Sequence, residues 1–138
     1  MTAEWLWIGV VAVFWGGYPL LTRACGYEGP HATLLVAVAA VVPVIAYVLL
    51  QGGAFTRPSP GQLGALGLAG LMQGLGLIAF LRVASGSLEA SVAIPISDVA
   101  MLIVTAVGAL VFFQEAVTLQ KLFGLGLLVT GIALLRPA

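Results

Sequence analysis

Between Leu88 and Glu115 the chain reads L-E-A-S-V-A-I-P-I-S-D-V-A-M-L-I-V-T-A-V-G-A-L-V-F-F-Q-E. The run is long enough to cross a bilayer, which takes about 20 mostly apolar residues, and it holds one carboxylate, Asp98. An acid at the centre of a membrane helix costs at least about 2.5–3.5 kcal/mol, so a helix that keeps one is expected to use it. Asp98 also belongs to a face. Ser91, Pro95, Asp98, Thr105 and Gly108 recur at the three-, four- and seven-residue steps that align side chains along one side of a helix. A polar, small-residue stripe on an otherwise apolar rod is expected to point into a protein interior or a watered cavity, not at lipid.

The rest of the chain reads the same way. Of its 138 residues 62% are hydrophobic and 7% charged, with a mean hydropathy of +1.18; a water-soluble domain carries about 25% charged residues. The expectation is an all-α integral membrane protein. The formal net charge is zero, and with the basic residues scattered singly there is no patch for nucleic acid. Cys25 is the only cysteine, which excludes an internal disulfide and is read as a bland small residue. Met1-Thr2-Ala3-Glu4 is acidic where a signal peptide needs a basic start, so the first apolar run is expected to be retained.

Five transmembrane helices are expected, in one domain over residues 1–138 with essentially nothing outside the membrane, at residues 5–22, 31–50, 62–80, 90–113 and 119–135. In the first, Trp5 and Trp7 suit an interfacial belt, and Gly16, Gly17 and Pro19 weaken the backbone ladder enough to predict a kink. Gly26–Gly29 forms a turn, after which Pro30 takes the first helical position it favours. Pro43 lies inside the second span, and His31 sits near the headgroups, where it reads as interfacial. Gln51–Pro60, with Gly52, Gly53, Pro58 and Pro60, is a loop. The third span carries Gly64, Gly67, Gly70 and Gly74, a ladder that lets another backbone approach, and one strongly polar residue, Gln73. Ser85-Gly86-Ser87 is the next turn, with Ser87 the expected N-cap and Glu89 in the first turn of the fourth span. Pro95 is a second kink candidate. The fifth span starts beside Lys121 and ends at Arg136; its Gly124 and Gly131, seven apart, share a face suited to helix contact or dimerisation. Glu115 is interfacial, at a helix end. With five spans, Arg57 and Lys121 fall on one side, and Arg23, Arg82 and Arg136 on the other. That bias of one charge weakly favours the N-terminus outside and permits insertion both ways.

Several stretches together resemble the EamA-type half-repeat of the drug/metabolite transporter superfamily. V-A-V-F-W-G-G-Y-P at Val11–Pro19 is similar to the family's tryptophan–glycine pattern in the first helix. F-L-R-V-A-S-G-S-L-E-A-S-V-A at Phe80–Ala93 resembles its junction between third and fourth helices. V-F-F-Q-E at Val111–Glu115 resembles the end of its fourth helix. L-F-G-L-G-L-L-V-T-G-I-A-L-L at Leu122–Leu135 is similar to its last helix, and to the helix through which small multidrug resistance transporters dimerise. The resemblance implies a single-repeat member working as a dimer, in a prokaryotic cytoplasmic (inner) membrane. Two departures stand out. The proton-binding glutamate of the four-helix multidrug members corresponds best to Trp15, so their antiport mechanism does not transfer. The fourth-helix proline, often past the midpoint, is earlier here, at Pro95.

Depths estimated at about 1.5 Å per residue put Asp98 about 12 Å and Gln73 about 16 Å into their spans, near the midplane and level with Trp15. Repeat-built transporters bind substrate at that level. The candidate substrate- or proton-binding residues are therefore Asp98, Trp15, Tyr18, Gln73 and Ser97, with Thr22 on the Trp15 face. Asp98 could bind and release a proton or pair with a substrate ammonium; the alternative is a hydrogen-bonding joint between helices. Gln73 reads equally as interhelical glue. Trp15 and Tyr18 could stack on a cation or simply pack. The expected activity is secondary transport of a small metabolite, amino acid or organic cation by alternating access. Two alternatives stand beside it: a non-transport subunit assembling with a larger membrane partner, and half of a flippase for a lipid-linked sugar. No nucleophile–base pair, phosphate loop or metal spacing occurs, so neither an enzyme nor a cofactor is expected.

Overall fold

The structure, a computed structural model, describes residues 2–52 and 57–135; Gly53 and Arg136 lie outside the described residues. Among the described residues there are five helices: α1 (Thr2–Cys25), α2 (Pro30–Gln51), α3 (Pro60–Ala84), α4 (Ala90–Phe112) and α5 (Leu119–Leu134). The protein is all-α, as expected. Four of the helices are long and apolar enough to cross a membrane. The fifth has 16 residues, about 24 Å at 1.5 Å per residue, against a hydrocarbon core of about 30 Å.

Local chemistry sets the boundaries. Gly26 and Gly29 have φ of 66° and 96°. At Gly29 the accompanying ψ of −172° lies in a region that is essentially closed to residues with a Cβ. The chain therefore turns there, and Pro30 opens α2 as expected. Helix α2 ends on the left-handed Gly52. Helix α3 opens with a capping box: the Gln62 amide donates to Ser59 Oγ, and the Ser59 amide donates to Gln62 Oε1 at 2.8 Å. Helix α5 opens on Thr118, whose Oγ1 accepts from the Lys121 amide. Ser87 does not cap α4. Glu89 holds that position in extended geometry, and its carbonyl accepts from Val92 and Ala93. The helix starts too far along for the Ser87 hydroxyl to reach the orphan amides of N2 or N3.

The prolines do not interrupt the helices, which continue through Pro19, Pro43 and Pro95. Each removes the amide that would bond the carbonyl four residues earlier, those of Trp15, Ala39 and Ser91. In hydrocarbon that loss must be made good by side chains, water or local adjustment. The Thr22 hydroxyl, for its part, donates to the Pro19 carbonyl at 2.9 Å.

The chain divides into two compact units, one running to Ser85 and the other starting at Gly86. In the first, α1 and α2 both pack on α3. The parts of α1 drawn in from the surface are Gly17, Tyr18, Pro19, Thr22 and Arg23, with Pro19 fully buried. On α3 they are Leu77, Phe80, Leu81 and Ala84, one helical stripe. The glycine ladder is not where the helices meet. A Cβ built on Gly64, Gly67, Gly70 or Gly74 would touch nothing within 4 Å, so among the described residues no backbone uses that close approach. In the second unit α4 packs with α5, and Val92–Val99 of α4 are buried or half-buried. Helices α2 and α5 have no fully buried residue; most of their Leu, Val and Ile side chains are exposed, for lipid or another protein to cover.

Candidate functional site

The first unit carries an aromatic group built across two helices. Trp15 and Tyr18 are three apart on α1 and so share a face. Their rings meet edge to face, with centroids 6.2 Å apart and planes at 84°. From α3, Phe80 joins the group, 5.8 Å from the Tyr18 ring and tilted by 39°. Both separations fall in the range where aromatic pairs attract beyond simple contact. Tyr18 and Phe80 are half-buried, while Trp15 stays 53% exposed, so its indole is the open end of the group. Gln73 is exposed and lies on the same α3 stripe as Leu77 and Phe80, seven residues before Phe80. That is about 10 Å along the axis. Within this unit, then, the structure joins Trp15 to Tyr18, sets Gln73 on the line of Phe80, and turns the Thr22 hydroxyl to its own main chain.

One turn beyond the rings, Arg23 of α1 donates from Nη1 to the carbonyl oxygen of Ala84, the last residue of α3, at 2.9 Å. Phe80 and Arg23 both escaped the reading of candidate residues. The signal that could have found Phe80 is its spacing from Gln73 by seven, the same stripe rule that singled out Asp98. Nothing in the sequence pairs Arg23 with a carbonyl 61 positions away.

The second unit holds Asp98 and Ser97 in the half-buried part of α4. Asp98 is the ninth residue of the helix, about 12 Å from its start, the depth expected from sequence. The Ser97 hydroxyl donates to the Ala93 carbonyl at 2.9 Å. Its proton is therefore engaged, and only its lone pairs remain to face a ligand. Among the described residues no side chain is hydrogen-bonded or ion-paired with Asp98. At the far end of α4, Gln114 adopts φ of 51°, and Glu115 pairs with Lys121 at 2.9 Å across the α4–α5 connection, both half exposed. Gly124 and Gly131 face open space: a Cβ on either would meet nothing within 4 Å. Two surface hollows lie away from these residues. One lies along α5 between Leu119 and Thr130, the other beside Arg57, Pro58 and Gln62. Among the described residues no three His, Cys, Asp or Glu side chains converge as metal ligands.

No curated protein and no solved structure matches the chain. The family model described as the EamA-like transporter family matches residues 3–136, which takes in all five helices, the aromatic group and Asp98. An all-helical chain with four membrane-length apolar helices, matched almost from end to end, belongs to the EamA-like transporter family of the drug/metabolite superfamily of membrane transporters.

Proposed function

We propose that the protein is a secondary active transporter that moves a small metabolite, an amino acid or an organic cation by alternating access, coupled to protons through Asp98. One observation carries the reading: a transporter-family chain keeps an acid about 12 Å inside an apolar helix, where it is costly, with no bonding partner for it among the described residues. A carboxylate whose only role was to tie helices together would need such a partner. Trp15, Tyr18, Gln73 and Ser97 serve substrate in the same reading. The indole offers a half-open π face, the amide offers both donor and acceptor, and Ser97 offers lone pairs. Pro19 and Pro95 are the points at which α1 and α4 bend during the cycle.

The working unit is a homodimer, each chain a single five-helix domain with α5 as the fifth span, in a prokaryotic cytoplasmic membrane. Helix α5 has no fully buried residue, and its Gly124 and Gly131 leave room for a second backbone. A parallel or an antiparallel pair would both use this face, and labelling each terminus from both sides of the membrane separates them. The test of function is transport by the purified chain in liposomes with an internal pH dye and an imposed pH gradient, against a panel of amines and amino acids. The expected result is substrate-dependent proton movement that Asp98→Asn abolishes. Normal transport with unchanged pH dependence in Asp98→Asn would remove Asp98 from the coupling step.

A further inference from the structure

We infer that Arg23 is a positioning residue, whose guanidinium clasps the carboxyl end of α3 and thereby sets the register that holds Tyr18 against Phe80 and aims the indole of Trp15. The inference rests on the reading above only in taking Trp15 and Tyr18 as part of the substrate site.

The clasp is made where α3 needs it. The last four carbonyls of a helix lack intrahelical donors, and they form the negative end of its dipole. The Leu81 carbonyl is satisfied by the Ser85 amide at 3.0 Å. The Ala84 carbonyl, on a residue only 1% exposed, takes its bond from Arg23 at 2.9 Å. A buried carbonyl deprived of that bond would be costly in or near hydrocarbon, so the contact is strongly specified. A cation is also the group that suits this end of the dipole.

The clasp and the ring pair act on one another through two short, stiff segments. From Tyr18 to Arg23 is five residues of α1, about 7.5 Å of rise, and from Phe80 to Ala84 is four residues of α3, about 6 Å. The pairs advance together along both helices, so α1 and α3 run parallel here, as first and third spans of an up-and-down arrangement should. Two contacts in step along parallel rods fix translation and rotation together; either alone would leave one of them free. Pro19 and Leu81, both buried between the two contacts along their helices, have no room to adjust if the register slips. An arginine that served only as a charge at the membrane surface would need none of this geometry.

The test reads the indole directly. In the 138-residue chain carrying Trp5→Phe and Trp7→Phe, Trp15 is the one remaining tryptophan. Its acrylamide quenching is measured in phosphatidylcholine nanodiscs for Arg23→Met, Arg23→Lys, Tyr18→Leu and the Arg23→Met/Tyr18→Leu double variant. The expected result is a change in quenching of about twofold in Arg23→Met, close to parent behaviour in Arg23→Lys, whose ammonium can still donate to the carbonyl, and a double variant no further shifted than Tyr18→Leu alone. That absorption of one effect by the other marks two groups acting as a unit. The inference is overturned if Arg23→Met retains its helicity with Trp15 quenching unchanged, or if its effect adds in full to that of Tyr18→Leu. Should Arg23→Met not fold, Arg23→Lys decides: quenching shifted as far as in Tyr18→Leu overturns the clasp. No transport enters this readout, so a failure of proton coupling at Asp98 leaves it standing, and its own failure leaves Asp98 untouched.

Discussion

Leucine at position 18, at position 80, and at both gives a double-mutant cycle on the Tyr18–Phe80 pair, the ring contact that links α1 to α3. Its magnitude follows from the medium. Between membrane helices there is little hydrophobic gain, because lipid tails are as apolar as the side chains they replace. Area bookkeeping taken from water therefore does not apply. What remains is the pair geometry itself, centroids 5.8 Å apart and planes tilted by 39°, an arrangement worth about 0.5–1.5 kcal/mol beyond contact. Each single substitution also loses whatever else its ring does, Tyr18 in particular through its edge-to-face contact with Trp15. The cycle cancels those terms and returns the coupling alone. The assay is reversible unfolding in mixed micelles, titrating a denaturing detergent and following helicity. The single variants are expected to be destabilised by about 1–2 kcal/mol each, and the double variant by less than their sum by about 1 kcal/mol. Strict additivity, within about 0.3 kcal/mol, would show that the rings do not sense each other, and the α1–α3 register derived from them would fall.

Two further outcomes concern how the helices begin. Ser59→Ala removes the side-chain acceptor of the α3 capping box and is expected to cost about 0.5–2 kcal/mol, with Ser59→Asp close to neutral; hydrogen exchange at the Gln62 and Leu63 amides is the measurement, and unchanged protection in Ser59→Ala would refute the cap. Gly29→Ala forces a Cβ onto backbone at φ 96° and ψ −172° and should cost about 1–3 kcal/mol, read by the same detergent titration. A neutral result there would mean that the α1–α2 turn takes a different conformation.

The helices were legible in the sequence because their causes are local. A run of about 20 apolar residues has few options in a membrane other than a helix, and Gly26, Gly29, Pro30, Gly52 and Pro60 mark the breaks by their own backbone limits. Asp98 was legible for the same reason: its cost depends on the helix it sits in and not on a neighbour. Local signals can also mislead or be overlooked. Ser87 had the chemistry of a cap but not the position, since α4 starts only at Ala90. The Ser59–Gln62 box had both, but it straddles the end of a stretch read as loop and the first residue of the expected third span. The tertiary structure alone decided which faces meet. It took α1 to Phe80 and Ala84 rather than to the glycine ladder of α3, and it set Arg23 against the Ala84 carbonyl. Those outcomes depend on groups tens of residues apart arriving at one place. No periodicity encodes that, because lipid solvates every apolar face equally well and leaves the choice of partner to shape and hydrogen bonding.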